Sequence, residues 1–244
     1  MIFEKLLTSS EDIKQRIFSS IERREPLLIT YFNQNCLNIY YQNESYKKLL
    51  DTKFLVYQAD LGVFIFLRFF KGKKIRRIDA TAVNEIILNE LNRNNTPLTI
   101  VGGNFDEKFI YDKSKNRGMN LIGYQNGYFT EPQTANIIES LSKLESKVLI
   151  IGMGVPKQEL FAERLSQTSN SKVIICVGNF FEFYFGTKKR APVFVRKIGL
   201  EWMFRLFSEP RRLWKRYLLG IPVFFYEVMK LKFSAKNNKY SNIT

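Results

Sequence analysis

The chain of 244 residues contains no histidine. This excludes a Ser–His or Cys–His nucleophile pair and any zinc or iron centre held by imidazole. Cysteine is scarce. Cys36 and Cys176 lie far apart in apolar runs, and no Cys-x-x-Cys spacing occurs. A disulfide framework and a structural zinc site are therefore excluded, and both thiols read as buried side chains of a reducing compartment. Long hydrophobic runs are missing as well. Leu61–Phe70 is interrupted by Arg68, and Leu218–Tyr226 by Gly220 and Pro222. Both fall short of the roughly 20 residues a spanning helix needs. The opening Met1-Ile2-Phe3-Glu4-Lys5 brings in charge at once, unlike a secretory leader. The expectation is a cytoplasmic protein that can touch a membrane without crossing it.

Acidic residues are outnumbered, 23 Asp and Glu against 38 Lys and Arg, a formal charge of +15. With 45% hydrophobic residues the chain still has the makings of a packed core. The charge therefore speaks about partners: nucleic acid, an anionic membrane or a phosphorylated substrate. It is concentrated at one end. From Thr187 onward, 14 Lys and Arg face 3 acids, so +11 of the +15 sits in under a quarter of the chain. These bases alternate with Trp202, Phe204, Leu206, Phe207, Leu213, Trp214, Tyr217 and Leu218, which a merely solvated face would not contain. Ser208 suits a helix N-cap, with Glu209 and Pro210 in the first turn. The helix it would open has a basic flank and aromatic anchors, a composition fit for an anionic lipid surface or for nucleic-acid phosphates. Residues 196–244 are read as a basic appendage to a core of residues 1–195, with Ser234–Thr244 frayed.

The core alternates strand and helix patterns. Apolar, β-branched runs at Leu27–Tyr31, Phe54–Tyr57, Leu98–Val101, Asn120–Gly123, Lys147–Ile151 and Val173–Val177 predict strands. Helical patterns occupy Thr8–Glu25, Cys36–Leu50, Leu61–Phe70, Ala80–Asn92, Glu107–Asn116, Pro132–Leu144 and Pro156–Thr168. This alternation predicts an α/β, Rossmann-like fold: a mostly parallel sheet with helices on both faces, plus the amphipathic C-terminal appendage.

Ligands of such folds sit beyond the carboxyl ends of the strands. The residues at those positions are Asn33, Asp60, Gly102-Gly103, Gly123 to Gly127, Gly152-Met153-Gly154 and Gly178-Asn179. Glycine lets a backbone approach a ligand and frees N–H groups for phosphate; tight turns alone would also explain the pattern. Without histidine, a carboxylate is the natural base near neutral pH. Asp60, directly after a strand pattern, is either a helix N-cap or that base. Asp79 reads as an N-cap with an ion pair to a neighbouring arginine, Arg76 or Arg77. Glu182, among five aromatics, is either half-exposed or set against a ligand.

Taken in order, these residues resemble a known family. Gly152-x-Gly154-x-Pro156-Lys157-Gln158-Glu159 is followed by Val177-Gly178-Asn179-Phe180-Phe181-Glu182. Then come Gly186-Thr187-Lys188-Lys189-Arg190-Ala191-Pro192, Gly199-Leu200-Glu201-Trp202, Arg205 and Glu209-Pro210-Arg211-Arg212-Leu213-Trp214-Lys215-Arg216-Tyr217. The set, with Gly102-Gly103 and Gly123-Tyr124-x-x-Gly127-Tyr128-Phe129, resembles the WecG/TagA/CpsF glycosyltransferases (glycosyltransferase family 26) over about residues 25–225.

The resemblance implies an inverting transferase without metal or other cofactor. It would move an N-acetylmannosamine- or hexuronate-type sugar from a UDP-sugar to a polyprenyl-diphosphate-linked acceptor. The reaction would serve surface-polysaccharide or teichoic-acid synthesis at the inner face of the bacterial membrane. It implies Asp60 as catalytic base. It also implies a substrate-binding set of Asn33, Arg76, Arg77, Asp79, Gly102, Gly103, Gly154, Pro156, Lys157, Gln158 and Glu182. A membrane-docking, site-closing segment would carry Arg205, Arg211, Arg212, Trp214 and Arg216. No nucleic-acid partner is implied, and self-association is left open. Tyr31 stands where the family has threonine, Leu61 where it has glycine, and Glu182 where it has aspartate. An altered sugar or acceptor is the expectation, beside an inactive homologue or a nucleic-acid-binding module.

Overall fold

The computed structural model describes residues 2–70, 72, 74–170 and 173–240. The helices α1 (Ile2–Lys5) and α2 (Ser10–Arg23) lead into β1 (Leu27–Phe32), α3 (Gln34–Gln42), α4 (Glu44–Thr52) and β2 (Phe54–Gln58). After α5 (Leu61–Ile65) come α6 (Ala80–Arg93), β3 (Leu98–Gly102), α7 (Glu107–Lys115), β4 (Leu121–Gln125), α8 (Glu131–Ser142), β5 (Val148–Gly152), α9 (Lys157–Ser166) and β6 (Val173–Cys176). The remainder is helical: α10 (Phe180–Tyr184), α11 (Val193–Lys197), α12 (Glu201–Ser208), α13 (Pro210–Trp214) and α14 (Gly220–Tyr240).

All six strands are parallel, in the order β2-β1-β6-β5-β3-β4. The period of two along each strand divides the core into two layers. On β5, Leu149 and Ile151 join Leu37, Tyr46, Phe161 and Leu165 from α3, α4 and α9. Val148 and Ile150 point the other way, to Ile13, Ile17, Ile87 and Leu91 from α2 and α6. Both faces are covered, so the central strands are continuous apolar runs, as expected of a parallel sheet. The chain leaves β3 outward to β4 through α7 on one face. It leaves β5 toward β6 through α9 on the other. The tips of β3 and β5 thus form a topological switch point, where such sheets open a crevice.

All six expected strands and the α/β class are present. The single helix expected over Cys36–Leu50 is two, because Asn43 turns out of the helical region, ends α3 and caps α4 by accepting from the Tyr46 N–H. The helix expected over Leu61–Phe70 closes into a π-helical segment, Phe66–Phe70. Ser208 is not an N-cap. It ends α12, where its hydroxyl donates to the Phe204 carbonyl, and Glu209 takes the capping position of α13. Gly220 and Pro222 lie in a helical run that passes from a π-helical segment, Lys215–Leu219, directly into α14. Residues 234–240 continue α14 rather than fray. Residues 241–244 lie outside the described residues.

Three strand tips meet without side chains. A Cβ on Gly102 would strike the Gly152 carbonyl, and one on Gly152 would strike the Gly178 carbonyl. One on Gly178 would lie 2.7 Å from the Tyr31 hydroxyl, and Gly178 holds φ +62°. Gly178→Ala should therefore cost about 2–4 kcal/mol, combining left-handed strain with overpacking, read as a lower denaturant midpoint at unchanged slope.

Candidate active site

The crevice along the carboxyl edge has two lobes. The first, about 370 Å³, lies over β2, β1 and β6 and is lined by Asn33, Asp60, Arg77, Asp79, Arg190 and Arg205, with an apolar wall of Ile65, Ile221, Phe224 and Phe225. The second, about 450 Å³, lies over β6, β5, β3 and β4 and is lined by Gly103, Gly127, Gly152, Gly154 and Gly178, with Lys157, Glu182, Lys188 and Arg212. Tyr31, Asn179 and Arg216 line both and form the seam between them.

Asp60 sits at the floor of the first lobe. Its two carboxylate oxygens accept from the Gln34 N–H at 2.7 Å and the Val63 N–H at 2.8 Å, so one side chain satisfies the N-termini of α3 and α5. It is thus an N-cap, the first of the two sequence alternatives, and it lines the crevice. Burial raises its pKa; those N–H bonds and the nearby Arg216 and Arg77 charges pull the other way without prevailing. Asn33 caps α3 through the Cys36 N–H on the same floor.

Asp79 caps α6 through the Thr81 and Ala82 N–H groups, as expected. Its ionic partner is not a chain neighbour. Arg190, remote in sequence, donates to both oxygens at 2.7 and 2.8 Å, and Arg196 lies 3.5 Å away. Arg77 instead donates to the Arg196 carbonyl and faces the lobe, whereas Arg76 is exposed and lines neither lobe. Burial pushes Asp79 up, but Arg190 and the capping N–H groups hold its carboxyl below the usual range. Arg190 continues to Glu201 at 3.7 Å, and Glu201 to Arg205 at 2.6 Å, whose guanidinium also lies over the Phe183 ring.

In the second lobe, Gly154 lies at φ +82° just before α9, so the helix begins beside the glycine floor and its N-terminal dipole favours an anion. Lys157 is drawn to one wall by the Gly127 and Phe129 carbonyls. Glu182 pairs with Lys188 at 2.7 Å, and Lys188 reaches Glu209, which also holds Arg212. Pro156 forms the α9 cap and Gly102 is buried against Gly152; neither lines a lobe. Gln158 does not reach the crevice. It is fully buried, donating to Glu159 at 2.7 Å and accepting from the Gly178 N–H at 3.0 Å.

Arg216 reaches the seam from the π-helical segment Lys215–Leu219 that follows α13. Its Nε is buried without a hydrogen-bond partner, and no carboxylate pairs with it among the described residues. Arg211 and Trp214, expected on the same segment, are exposed to solvent instead. Sequence reasoning passed over Tyr31, Arg190 and Glu201 as lining residues. Tyr31 ends a strand pattern, and the other two lie inside quoted motifs whose partners only the fold brings near.

These features define a doubly wound α/β protein with a ligand crevice at the carboxyl ends of its strands. The chain belongs to the WecG/TagA/CpsF family of glycosyltransferases. The sequence model of that family, described as "Glycosyl transferase WecG/TagA/CpsF family", matches residues 5–238, nearly the whole length. The protein is therefore a transferase working between a sugar donor and an acceptor.

Asp79→Asn keeps a good N-cap but removes the carboxylate from Arg190. Because the folded pKa is depressed, the ion pair stabilises above the unfolded value near 3.9 and is lost as pH falls through the lower, folded value. Denaturant midpoints of wild type and variant should differ steadily from pH 7 to about pH 4 and converge only below it.

Proposed function

We propose that the protein transfers a sugar, with inversion, from a UDP-sugar to a polyprenyl-diphosphate-linked acceptor at the inner face of the bacterial membrane. An N-acetylmannosamine- or hexuronate-type sugar is the donor group, and the product feeds surface-polysaccharide or teichoic-acid synthesis. The observation that carries this reading is the seam. Arg216, with an unpartnered buried Nε, stands between a glycine-floored cationic lobe and a lobe holding a carboxylate of raised pKa.

The diphosphate of the donor lies in the second lobe, on the backbone amides beside Gly103 and Gly154 and near Arg212 and Arg216. Guanidinium groups hold phosphate bidentately and stay charged, so they stabilise the leaving diphosphate without a metal. The acceptor enters the first lobe, its lipid along the wall of Ile221, Phe224 and Phe225. Asp60 takes the proton from the acceptor hydroxyl. The freed oxygen pair attacks the anomeric carbon from the face opposite the diphosphate. The bond to the diphosphate breaks, and UDP leaves with that electron pair. Burial favours this role, because a carboxylate of raised pKa is a stronger base.

The segment from residue 196 supplies the membrane contact together with Phe194 just before it. Phe194 (71% exposed) and Phe207 (78%) stand out beside Trp214, Leu218, Leu219, Phe225 and Tyr226. Arg211 and Lys215 lie exposed among them. Exposed aromatics flanked by cations suit an anionic interface. No described helix is long and apolar enough to cross a membrane, so the contact is peripheral.

Asp60→Asn should lower transfer by two to four orders of magnitude and leave UDP affinity, by calorimetry, within about threefold. The acid limb of wild-type kcat/KM should lie above the ordinary aspartate range. Unchanged turnover would remove Asp60 from the chemistry; no UDP binding by the wild type would remove the donor. For the membrane contact, Phe194→Ser/Phe207→Ser in the full chain should cut co-sedimentation with phosphatidylglycerol vesicles at least about tenfold, since each buried ring contributes roughly 1.5–3 kcal/mol. Sedimentation equal to wild type would sink that assignment.

A further inference from the structure

Glu159 is fully buried, yet no cation pairs with it among the described residues. One oxygen, Oε1, accepts from the Thr30 hydroxyl on β1 and from the Gln158 side-chain amide, both at 2.7 Å. The other, Oε2, is buried without a hydrogen-bond partner. A lone buried carboxyl is costly to keep, and an apolar residue of similar size would avoid that cost. Stability does not account for it, so its geometric consequences matter.

An amide side chain presents either its NH2 or its carbonyl to a neighbour. Glu159 Oε1, which already receives the Thr30 hydroxyl proton, can only accept from Gln158, whether the carboxyl is ionised or carries its proton on Oε2. Gln158 must therefore turn its NH2 toward Glu159 and its carbonyl toward β6, where it receives the Gly178 N–H at 3.0 Å. Gly178 lies where the backbone turns to φ +62°, against the Gly152 Cα on one side and the Tyr31 hydroxyl on the other. Gly178 and Asn179 then line the crevice.

We propose that Glu159 is a positioning residue for sugar-nucleotide binding: through the orientation of the Gln158 amide it fixes the Gly178–Asn179 turn that forms the floor between the two lobes. The chain of contacts runs Thr30, Glu159, Gln158, Gly178, and none of the first three touches the crevice. The proposal rests on the donor reading only for its ligand; the placement of the turn stands apart from it. Burial raises the Glu159 pKa to about 7, in line with a carboxyl kept for its acceptor oxygen rather than for its charge.

The experiment compares Glu159→Met, Glu159→Gln and Gln158→Met with wild type, using UDP as the probe and following the Gly178 amide by hydrogen exchange. Glu159→Met keeps the volume and removes the acceptor. It should lose Gly178 protection while the amides of Ile174 and Ile175 in the preceding strand β6 stay protected, and bind UDP at least tenfold more weakly. Glu159→Gln, whose carbonyl can take the place of Oε1, should restore both to within about threefold. In Glu159→Met/Gln158→Met the losses should not add, because the two act in series. Gly178 protection and UDP affinity unchanged in Glu159→Met would overturn the proposal, as would failure of Glu159→Gln to rescue while folded. If Glu159→Met does not fold, Gln158→Met carries the same readouts, and an unprotected Gly178 amide in folded wild type is decisive against it. Wild type that binds no UDP would instead defeat the donor reading, with the exchange data still judging the turn.

Discussion

At the carboxyl edge of the sheet, the tips of β3, β5 and β6 approach more closely than side chains allow. Gly102, Gly152 and Gly178 lie in series, each placed where a Cβ on one would meet the carbonyl or hydroxyl of the next. A parallel sheet brings all strand ends to one edge, but it does not by itself make them flat. The three glycines do so, and Gly152 and Gly178 then line the second lobe, with Gly102 buried against Gly152. Each also gives up rotamer packing and backbone entropy that a larger residue would retain. The loop geometry therefore depends on support from below, which the buried side chains of α9 and β1 supply.

The helical segment after β6 completes the crevice rather than merely following it. Phe224 packs over Gly62, and the Gly220 carbonyl accepts from Asn38 on α3. Further round, Glu201 and Glu209 from this segment meet Arg190 and Lys188 of the preceding loop. These pairs use up the cations Arg190, Arg205, Lys188 and Arg212, since each has a carboxylate within 4 Å. Arg216 is left over. Of the large positive excess at this end of the chain, the fold neutralises what holds the segment down and leaves one guanidinium at the seam. These pairs are partly buried, so desolvation offsets much of their attraction and their value here is placement.

Strand order aside, the architecture was legible because the core strands are unbroken apolar runs and the helices between them carry clear caps. Asp79 could be recognised as a cap from its own neighbours. Its partner Arg190 could not, because 111 positions separate them and only the folded sheet brings them together. Helix limits were misread where a local rule met a tertiary one. Ser208 looks like a cap, yet it is the last residue of α12 and bonds back to the Phe204 carbonyl. Gln158 shows the same limit at the site. Its motif points to a ligand, but an amide at the second position of α9 faces inward, to Glu159 and the Gly178 N–H, and so meets the crevice floor from behind.

Asp60 is a cap in the structure and a base in the function proposed above, two roles that seem opposed. As a cap it must stay ionised to receive the Gln34 and Val63 N–H groups, and those bonds lower its basicity. As a base it needs the opposite. Burial at the lobe floor supplies the balance, since loss of water raises the pKa more than the N–H groups and arginines lower it. The cap also fixes the carboxylate plane, because two backbone donors from different helices leave it no free rotation. In the proposed reaction a base held this way would lose no motion when the acceptor hydroxyl arrived, and such preorganisation offsets the basicity that the capping bonds remove.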